Sequence, residues 1–347
     1  MTAGSRRRST RAGSSRGVAA FVARRGLITI PMILAVTLVG FLLVELMPGD
    51  ASSRLQMNSD LSPETIAAFR VRFGLGQPVL TRYARWLSSV FTRGDFGISL
   101  ETGLPAVSAL FGGGRLGWTV LVSTTTLFII WLVAIPFGIA CALRPGGLFD
   151  RIAEALALFG LSVPGFLIGL VLLFLLVVVL RVGEHGLGVG GLLDSEYVVG
   201  PWTWSRLGNL LWHLWPVWAV SGLSALAGWM RQLRGNLLDA LGQPFILAAR
   251  ANGVRERAVV RHALRHAMNP ILSMMGLSLP YVISGSLVSA VVFNLPTVER
   301  AFWTAIQGQD AYVVLAGLVF FSSALALGNL TADVLLVVLD PRVRMVP

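Results

Sequence analysis

Six stretches of this chain are apolar over the roughly 20 residues that a helix needs to cross a bilayer. They are residues 26–46, 118–143, 155–180, 211–230, 271–293 and 312–339. Between them the polar, charged and turn-forming residues return. The pattern predicts an all-α multi-pass membrane protein with six transmembrane helices. Pro31, Pro136, Pro164, Pro216 and Pro280 fall inside the runs. Interior prolines are tolerated in membrane helices because neighbouring helices satisfy the freed carbonyls, so kinks are expected there. Gly160, Gly165 and Gly169 offer a face suited to close helix contact.

The polar segments differ in character. Residues 47–117 are long and mixed. Leu61-Ser62-Pro63-Glu64 opens a helical pattern at 63–72, with proline in the first turn. A second, amphipathic stretch at 78–91 puts Leu80, Tyr83, Leu87 and Val90 on one face. Two readings stand: a subdomain that meets a delivery protein, or a solvated cap that stabilises the spans. In residues 181–210 and the run that follows, Trp202, Trp204, Trp212, Trp215 and Trp218 cluster. An interfacial aromatic belt is the preferred reading over ligand stacking.

Residues 231–269 are too long for a simple connector and lack Ser/Gly linker character. Leu237, Leu238 and Leu241 are apolar at helical spacing. Then comes the run Gln243-Pro244-Phe245-Ile246-Leu247-Ala248-Ala249-Arg250-Ala251-Asn252-Gly253. Pro244 can begin a helix, and Gly253 can end it with a left-handed cap. Its alanines allow close approach to another surface. Residues 255–268 resume as a basic helix. The segment therefore reads as two helices around a short exposed one. Such an element can dock in a partner's groove, or it can lie on anionic lipid.

Composition agrees with the membrane pattern. The chain has 347 residues, 55% hydrophobic and 13% charged, with mean hydropathy +0.74. Soluble domains carry about 25% charged residues, so a water-soluble globular fold is excluded. The spans form one bundle, which overrules a two-domain expectation from length. The net charge of +11 is one-sided. Eighteen arginines and five acids fall on the side holding both termini, the 144–151 turn and the 231–269 segment. The other side holds ten of each, and Glu45 and Asp333 lie within spans. Cytoplasmic segments are rich in Arg and Lys, so the charged side is expected to be cytoplasmic, with both termini there. A nucleic-acid partner is then superfluous.

Residues 1–25 read as a disordered basic tail, residues 341–347 as a second cytoplasmic tail, and residues 118–340 as the transmembrane core. Arg24-Arg25 resembles a secretory n-region. However, the following run is 21 residues long and Pro48-Gly49-Asp50 is no small-x-small cleavage site, so the first span reads as an uncleaved anchor. All 28 basic residues are arginine. Without lysine there is no Walker-type P-loop and no Schiff base. Cys141 stands alone, which excludes a disulfide framework and C-x-x-C metal sites. No cofactor is expected.

An intramembrane charge is a functional hint by default. Asp333 in the sixth span reads as a bundle-interior group pairing with an arginine of the 231–269 segment, in preference to a proton relay. Glu45, at the external end of its span, reads as wet. His262 and His266 stand i, i+4 but have no third ligand in view, so surface histidines are preferred to a metal site. Asn294 and Gln307, near the outer ends of the fifth and sixth spans, are polar candidates for the bundle interior or a path through it.

The 231–270 region also resembles a family: the membrane-spanning permease subunits of ABC importers, in the dipeptide/oligopeptide branch. Asp239, Gln243 and Ala248-Ala249-Arg250-Ala251-Asn252-Gly253, followed by His262-Ala263-Leu264-Arg265 and Asn269-Pro270, look like that family's "E-A-A" loop. Phe245 stands where a tyrosine is usual, and Asn252 where a lysine is usual. Leu46-Met47-Pro48-Gly49-Asp50, Arg72-Phe73-Gly74-Leu75-Gly76-Gln77-Pro78, Gly94-Asp95-Phe96-Gly97-Ile98-Ser99, Phe293-Asn294-Leu295-Pro296 and Asp340-Pro341-Arg342-Val343-Arg344 are similar to motifs of the first permease of that branch. The resemblance implies a multi-pass protein of the inner or plasma membrane, with residues 243–253 as a helix coupling it to an ATPase. It further implies a second permease, two cytoplasmic ATPases and an extracytoplasmic substrate-binding protein as partners. The implied activity is ATP-driven import of di- or oligopeptides or a related small solute, with hydrolysis on other subunits, so this chain is not itself an enzyme. A proton-coupled secondary transporter is the alternative, though it would want paired intramembrane charges and an internal repeat. A membrane enzyme finds no H-E-x-x-H or G-x-S-x-G motif.

Overall fold

The computed structural model describes residues 27–44, 46, 64, 77–185 and 188–339, with the side chains at 185, 272–273, 275–286 and 332–339 excepted. The tails at 1–25 and 341–347 and the helix expected at 63–72 lie outside these residues, Glu64 aside. Among the described residues the regular structure is helical. The α-helices of six residues or more are α1 (Leu27–Val44), α2 (Val79–Arg93), α3 (Ala106–Phe111), α4 (Arg115–Leu143), α5 (Leu148–Ser162), α6 (Gly165–Phe174), α7 (Trp204–Leu241), α8 (Pro244–Ala251), α9 (Glu256–Val292), α10 (Val298–Gln307) and α11 (Ala311–Leu339). Four helical stretches are long and apolar enough to cross a membrane: Leu27–Val44, Ala106–Leu143, Trp204–Leu241 and Ala311–Thr331; α5 with the helix after it would make a fifth. The expected span at 271–293 lies in α9, much of it among side chains outside the described set.

The chain divides into two compact units. The first comprises residues up to Arg115 together with Ala301–Leu330. Its core gathers Phe41, Tyr83, Trp86 and Leu315. α2 starts after Pro78 and stops at Gly94, whose φ of 65° is the left-handed cap that glycine adopts without strain. Its buried face is Val79, Tyr83, Trp86, Leu87 and Val90. Leu80, expected on that face, is instead 65% exposed. Helical spacing lets Val79 or Leu80 begin the stripe, and Trp86 pulls it toward Val79. The Tyr83 hydroxyl donates to the Leu34 carbonyl (3.0 Å) and lies 2.9 Å from the Thr37 hydroxyl. The Gly94–Ser99 motif has a structural reason in this unit. Gly97, at φ 94°, lies against the Tyr312 ring where a Cβ would collide at 2.6 Å. Ser99 donates to Asp310 at 2.5 Å, beside the start of α11.

The second unit comprises Leu116–Arg300 and the residues after Leu330. Its two long rods are α7, of 38 residues, and α9, of 37. At 1.5 Å per residue α7 is about 57 Å long, well beyond a hydrocarbon core of about 30 Å. The polar segment expected after residue 230 is thus the continuation of two rods, with α8 between them. Apolar contacts fall into groups at the two ends of this unit. At the α8 end, Leu233, Leu237, Ala240, Ile246, Val259, Ala263 and Ala267 cluster with Ile130 and Ala142. Beside it, Ala153 and Ala157 of α5 pack on Ala227 and Met230 of α7. At the opposite end, Val122, Leu192, Leu210, Leu214, Val217, Val220, Ala290, Phe293 and Leu295 form a separate core.

Two expectations are corrected here. Residues 155–180 are not one continuous helix: α5 and the helix that follows it meet at 103°. The residue before a proline is pushed out of the α region, and Val163 is extended (φ −91°, ψ 125°). Pro164 then heads α6, which runs into a five-residue π-helix, Leu175–Val179. Residues 204–210, expected in a loop, open α7, with the Thr203 hydroxyl capping the Arg206 amide at 3.2 Å. The tryptophans divide accordingly: Trp202 and Trp204 are exposed, whereas Trp212 and Trp218 donate to the Gly188 carbonyl and the Thr125 hydroxyl.

Candidate functional site

α8 is set by its ends. Gln243 precedes it with extended backbone, and Pro244 occupies the first helical position, where its missing N–H costs no helical bond. The Gln243 carbonyl accepts from the amides of Ile246 (3.0 Å) and Leu247 (3.2 Å). At the other end Gly253 sits at φ 73°. Its amide donates to the Arg250 carbonyl (3.0 Å) and that of Val254 to the Ala249 carbonyl (3.1 Å). This pair of bonds is the Schellman arrangement, which closes the helix and turns the chain sharply into α9.

The orientation of α8 follows from one side chain. Ile246 is fully buried among the rods, and Ala249, one turn on, packs on the same cluster. Everything else points away. Phe245 and Leu247 are 43% and 55% exposed, and Pro244, Ala248, Arg250, Ala251, Asn252 and Gly253 are exposed too. The Phe245 ring leans on His266 of α9 at 4.8 Å between centroids. Arg250 reaches Glu256 at 2.6 Å and joins the end of α8 to the start of α9. That contact holds the Glu256 carboxyl below its ordinary pKa. Asp239 is exposed in the last turn of α7. The result is a short apolar ridge, anchored at one point and open to a partner. An aromatic or leucine side chain covered there contributes about 1.5–3 kcal/mol.

Of the remaining candidates, His266 touches this ridge through Phe245. Asn294 is exposed at φ 52°, in the turn after α9. Gln307 is exposed at the end of α10, in the other compact unit. Asp333 lies in α11 with its side chain outside the described set, and Glu45 lies outside the described residues. His262 and His266 are both exposed on α9.

Three polar clusters escaped the sequence reading. Asp150 of α5 takes Arg234 of α7 in a two-pronged contact at 2.6 and 2.7 Å, and also accepts from the Gly146 amide at 2.8 Å. At the opposite end Asp194 accepts from the Gly188 amide (2.9 Å) and the Asn209 amide group (2.5 Å). Buried His213 donates through Nδ1 to the Asn209 carbonyl at 2.9 Å, and its Nε2 lies 3.4 Å from Asp194. In the third, buried Thr119 donates to Glu299 at 2.8 Å and accepts from the Val298 amide at 2.9 Å. These partners lie 84, 15–19 and 180 positions apart. Outside these clusters Thr203, three residues before Arg206 as a helix cap, offered a local signal.

Comparison with known proteins addresses nearly the whole chain. Residues 134–345 match the family model "Binding-protein-dependent transport system inner membrane component", and residues 18–132 match its N-terminal counterpart. The oligopeptide transport system permease protein AppB of Bacillus subtilis is 32% identical over 94% of this chain and all of its own length. The dipeptide transport system permease protein DppB of Escherichia coli is 30% identical over 93% of this chain and 98% of its own. The glutathione transport system permease protein GsiC of Salmonella paratyphi A is 31% identical over 93% and 98%.

Proposed function

The chain belongs to the family of binding-protein-dependent transport system inner membrane components and is a permease subunit of an ABC importer; we propose that its cargo is di- or oligopeptides, or a small solute related to them. In this reading six helices cross the membrane, the broken pair α5–α6 supplying one crossing. Both termini and α8 lie in the cytoplasm. A second permease stands beside this one, two ATPases bind beneath, and a binding protein delivers cargo from outside, with residues 47–117 on that side. α8, with Asp239 and Gln243 at its approach, is the element the ATPase grips. Asp333, Asn294 and Gln307 are candidates for the bundle interior or the path of the cargo.

The observation that carries this reading is the shape of the α8 region. Two rods longer than a bilayer present between them a short helix with one buried anchor and an exposed apolar ridge. Such a helix fits a groove on a partner. The peptide assignment is supported by the names of the relatives, which transport oligopeptides, dipeptides and glutathione. Affinity purification from native membranes tests the assembly: ATPase subunits and a second multi-pass protein should co-purify. Uptake of a panel of labelled di-, tri- and pentapeptides by a deletion strain, with and without the restored gene, tests the cargo. Accumulation against a gradient by the purified chain alone in vesicles overturns the reading in favour of a self-sufficient transporter.

A further inference from the structure

α5 runs antiparallel to the α8 end of α7, and the contacts between them keep step. Asp150 meets Arg234. Glu154 stands 3.8 Å from Arg231. The Gly160 carbonyl accepts from the Ser224 hydroxyl at 2.8 Å. From Asp150 to Gly160 and from Arg234 to Ser224 the chain advances by the same ten residues, about 15 Å of helix on each side. The two helices are therefore in register along the whole contact. Small residues make it close. Ala153 and Ala157 are buried, and a Cβ on Gly160 would come within 2.9 Å of Leu223. The opposite face of α5 (Leu148, Ile152, Leu156 and Phe159) is exposed.

The charge pair fastens this seam at the end nearest α8. The Asp150 side chain is 3% exposed and that of Arg234 is 23% exposed. Arginine's fork fits a carboxylate in two parallel bonds, which fixes angle as well as distance. Thirteen residues beyond Asp150, the seam's first contact, the regularity ends. At Val163 and Pro164 the backbone is extended and the direction changes by 103°. Past that point α6 belongs to the other core: Gly169 faces Val220 and Val292, and Ile168, Leu172 and Leu173 pack there.

We infer that α5 and the α8 end of α7 move as a single arm when α8 is pushed, that Asp150 and Arg234 are positioning residues which make them one body, and that the arm articulates at Val163–Pro164. This rests on the reading of α8 as the element an ATPase grips. The arm gives the short helix a second, lateral output: a stroke at α8 reaches the broken span through α5 as well as the outer core through α7.

Electron-spin distance measurements on the assembled permease–ATPase complex in lipid nanodiscs test this, in a Cys141→Ala background. One label pair, Leu158→Cys with Gln232→Cys, lies within the arm. The other, Leu170→Cys with Gln232→Cys, spans the bend. Between the nucleotide-free state and the ATP–vanadate-trapped state, the first distance should stay narrow and unchanged while the second shifts by several ångström. Asp150→Asn should broaden the first distribution and make it nucleotide-dependent while ATP hydrolysis continues. Arg234→Lys, which keeps the charge but loses the fork, should give a smaller broadening. The exchange Asp150→Arg with Arg234→Asp should narrow the distribution again. A first distance that shifts with nucleotide in the unsubstituted pair, or one that ignores both Asp150→Asn and Arg234→Lys, overturns the arm. So does failure of all three variants to assemble, which assigns the pair to folding. Absence of any co-purifying ATPase from the labelled chain overturns the reading of α8 instead. With ATPase present and turning over, two distances that both ignore nucleotide overturn the arm alone.

Discussion

The two ends of the second unit are built on different principles. At the α8 end a continuous apolar cluster of alanine, leucine and valine holds two rods together. Its polar contacts join whole helices, as Arg234 joins α7 to α5 and Arg250 joins α8 to α9. At the opposite end the chain is irregular, and side-chain hydrogen bonds hold its course. Asp194 fixes the stretch from Gly188, His213 and Asn209 brace it, the Gly191 amide donates to the Phe293 carbonyl at 2.7 Å, and Thr119 pins the turn that leads into α10. An apolar seam between helices tolerates being pushed as a block, because packing spread along it, fastened at one end by the Asp150–Arg234 pair, holds its shape. A turn tied by buried polar groups does not, since each broken bond leaves an unsatisfied group. Damage at the first end should therefore fall on transmission, and damage at the second on stability.

The largest effect expected from that contrast is at the cap of α8. Gly253→Pro should abolish peptide uptake while the protein still inserts in the membrane. Proline is locked near φ −65°, whereas Gly253 sits at +73°, and the substitution also deletes the amide that donates to Arg250. Ala249→Glu should do the same by forcing a carboxylate toward the buried cluster that Ala249 packs on. Uptake of labelled dipeptide by a complemented deletion strain, with an immunoblot of the membrane fraction, checks both. Full uptake in either variant removes α8 from transmission.

At the opposite end Asp194→Ala should separate the two ends in the other direction. It strips acceptors from the Gly188 amide and the Asn209 side chain, at about 1–3 kcal/mol for each buried group left unsatisfied. Thermal unfolding of the detergent-purified protein should move down by several degrees, and protease should cut faster in residues 188–203. Co-purification of ATPase should be unchanged, since the α8 end is intact. An unchanged melting temperature means that the network does not hold this turn.

The same contrast decides how much was legible in the sequence. Local signals gave α8 its limits: Pro244 and Gly253 stand where the helix starts and where its left-handed cap falls. Hydropathy marked the long apolar runs for the same reason, since a run of apolar residues needs no distant partner to be recognised. What needed a distant partner stayed hidden. Asp150 and Arg234 entered only as topology charges, although their pairing across 84 positions is what fastens α5 to α7. The 103° bend was foreseeable at Pro164 as a kink, but its size depends on α6 packing against Val220 and Val292. The Val79-for-Leu80 choice in α2 turned on Trp86 in the same way.

The smallest effect expected at the α8 end concerns the Arg250–Glu256 contact, which is largely in water. Arg250 holds the Glu256 pKa below the ordinary value of 4.5. A carboxyl whose folded pKa is lowered stabilises the folded form fully above its unfolded pKa. The contribution is lost as pH falls through the lower, folded value. Glu256→Gln should therefore speed hydrogen exchange at the Asn252, Gly253 and Val254 amides by a factor of about two at neutral pH, in keeping with an exposed ion pair. The difference from the unsubstituted protein should be flat from pH 8 to pH 6, then close once the pH drops below the carboxylate range. Added salt should shrink it at neutral pH, because exposed charges are screened. A difference that survives both acid and salt would mean that Glu256 shapes the cap through packing, and the α8 end would then depend on a specific side-chain contact as the opposite end does.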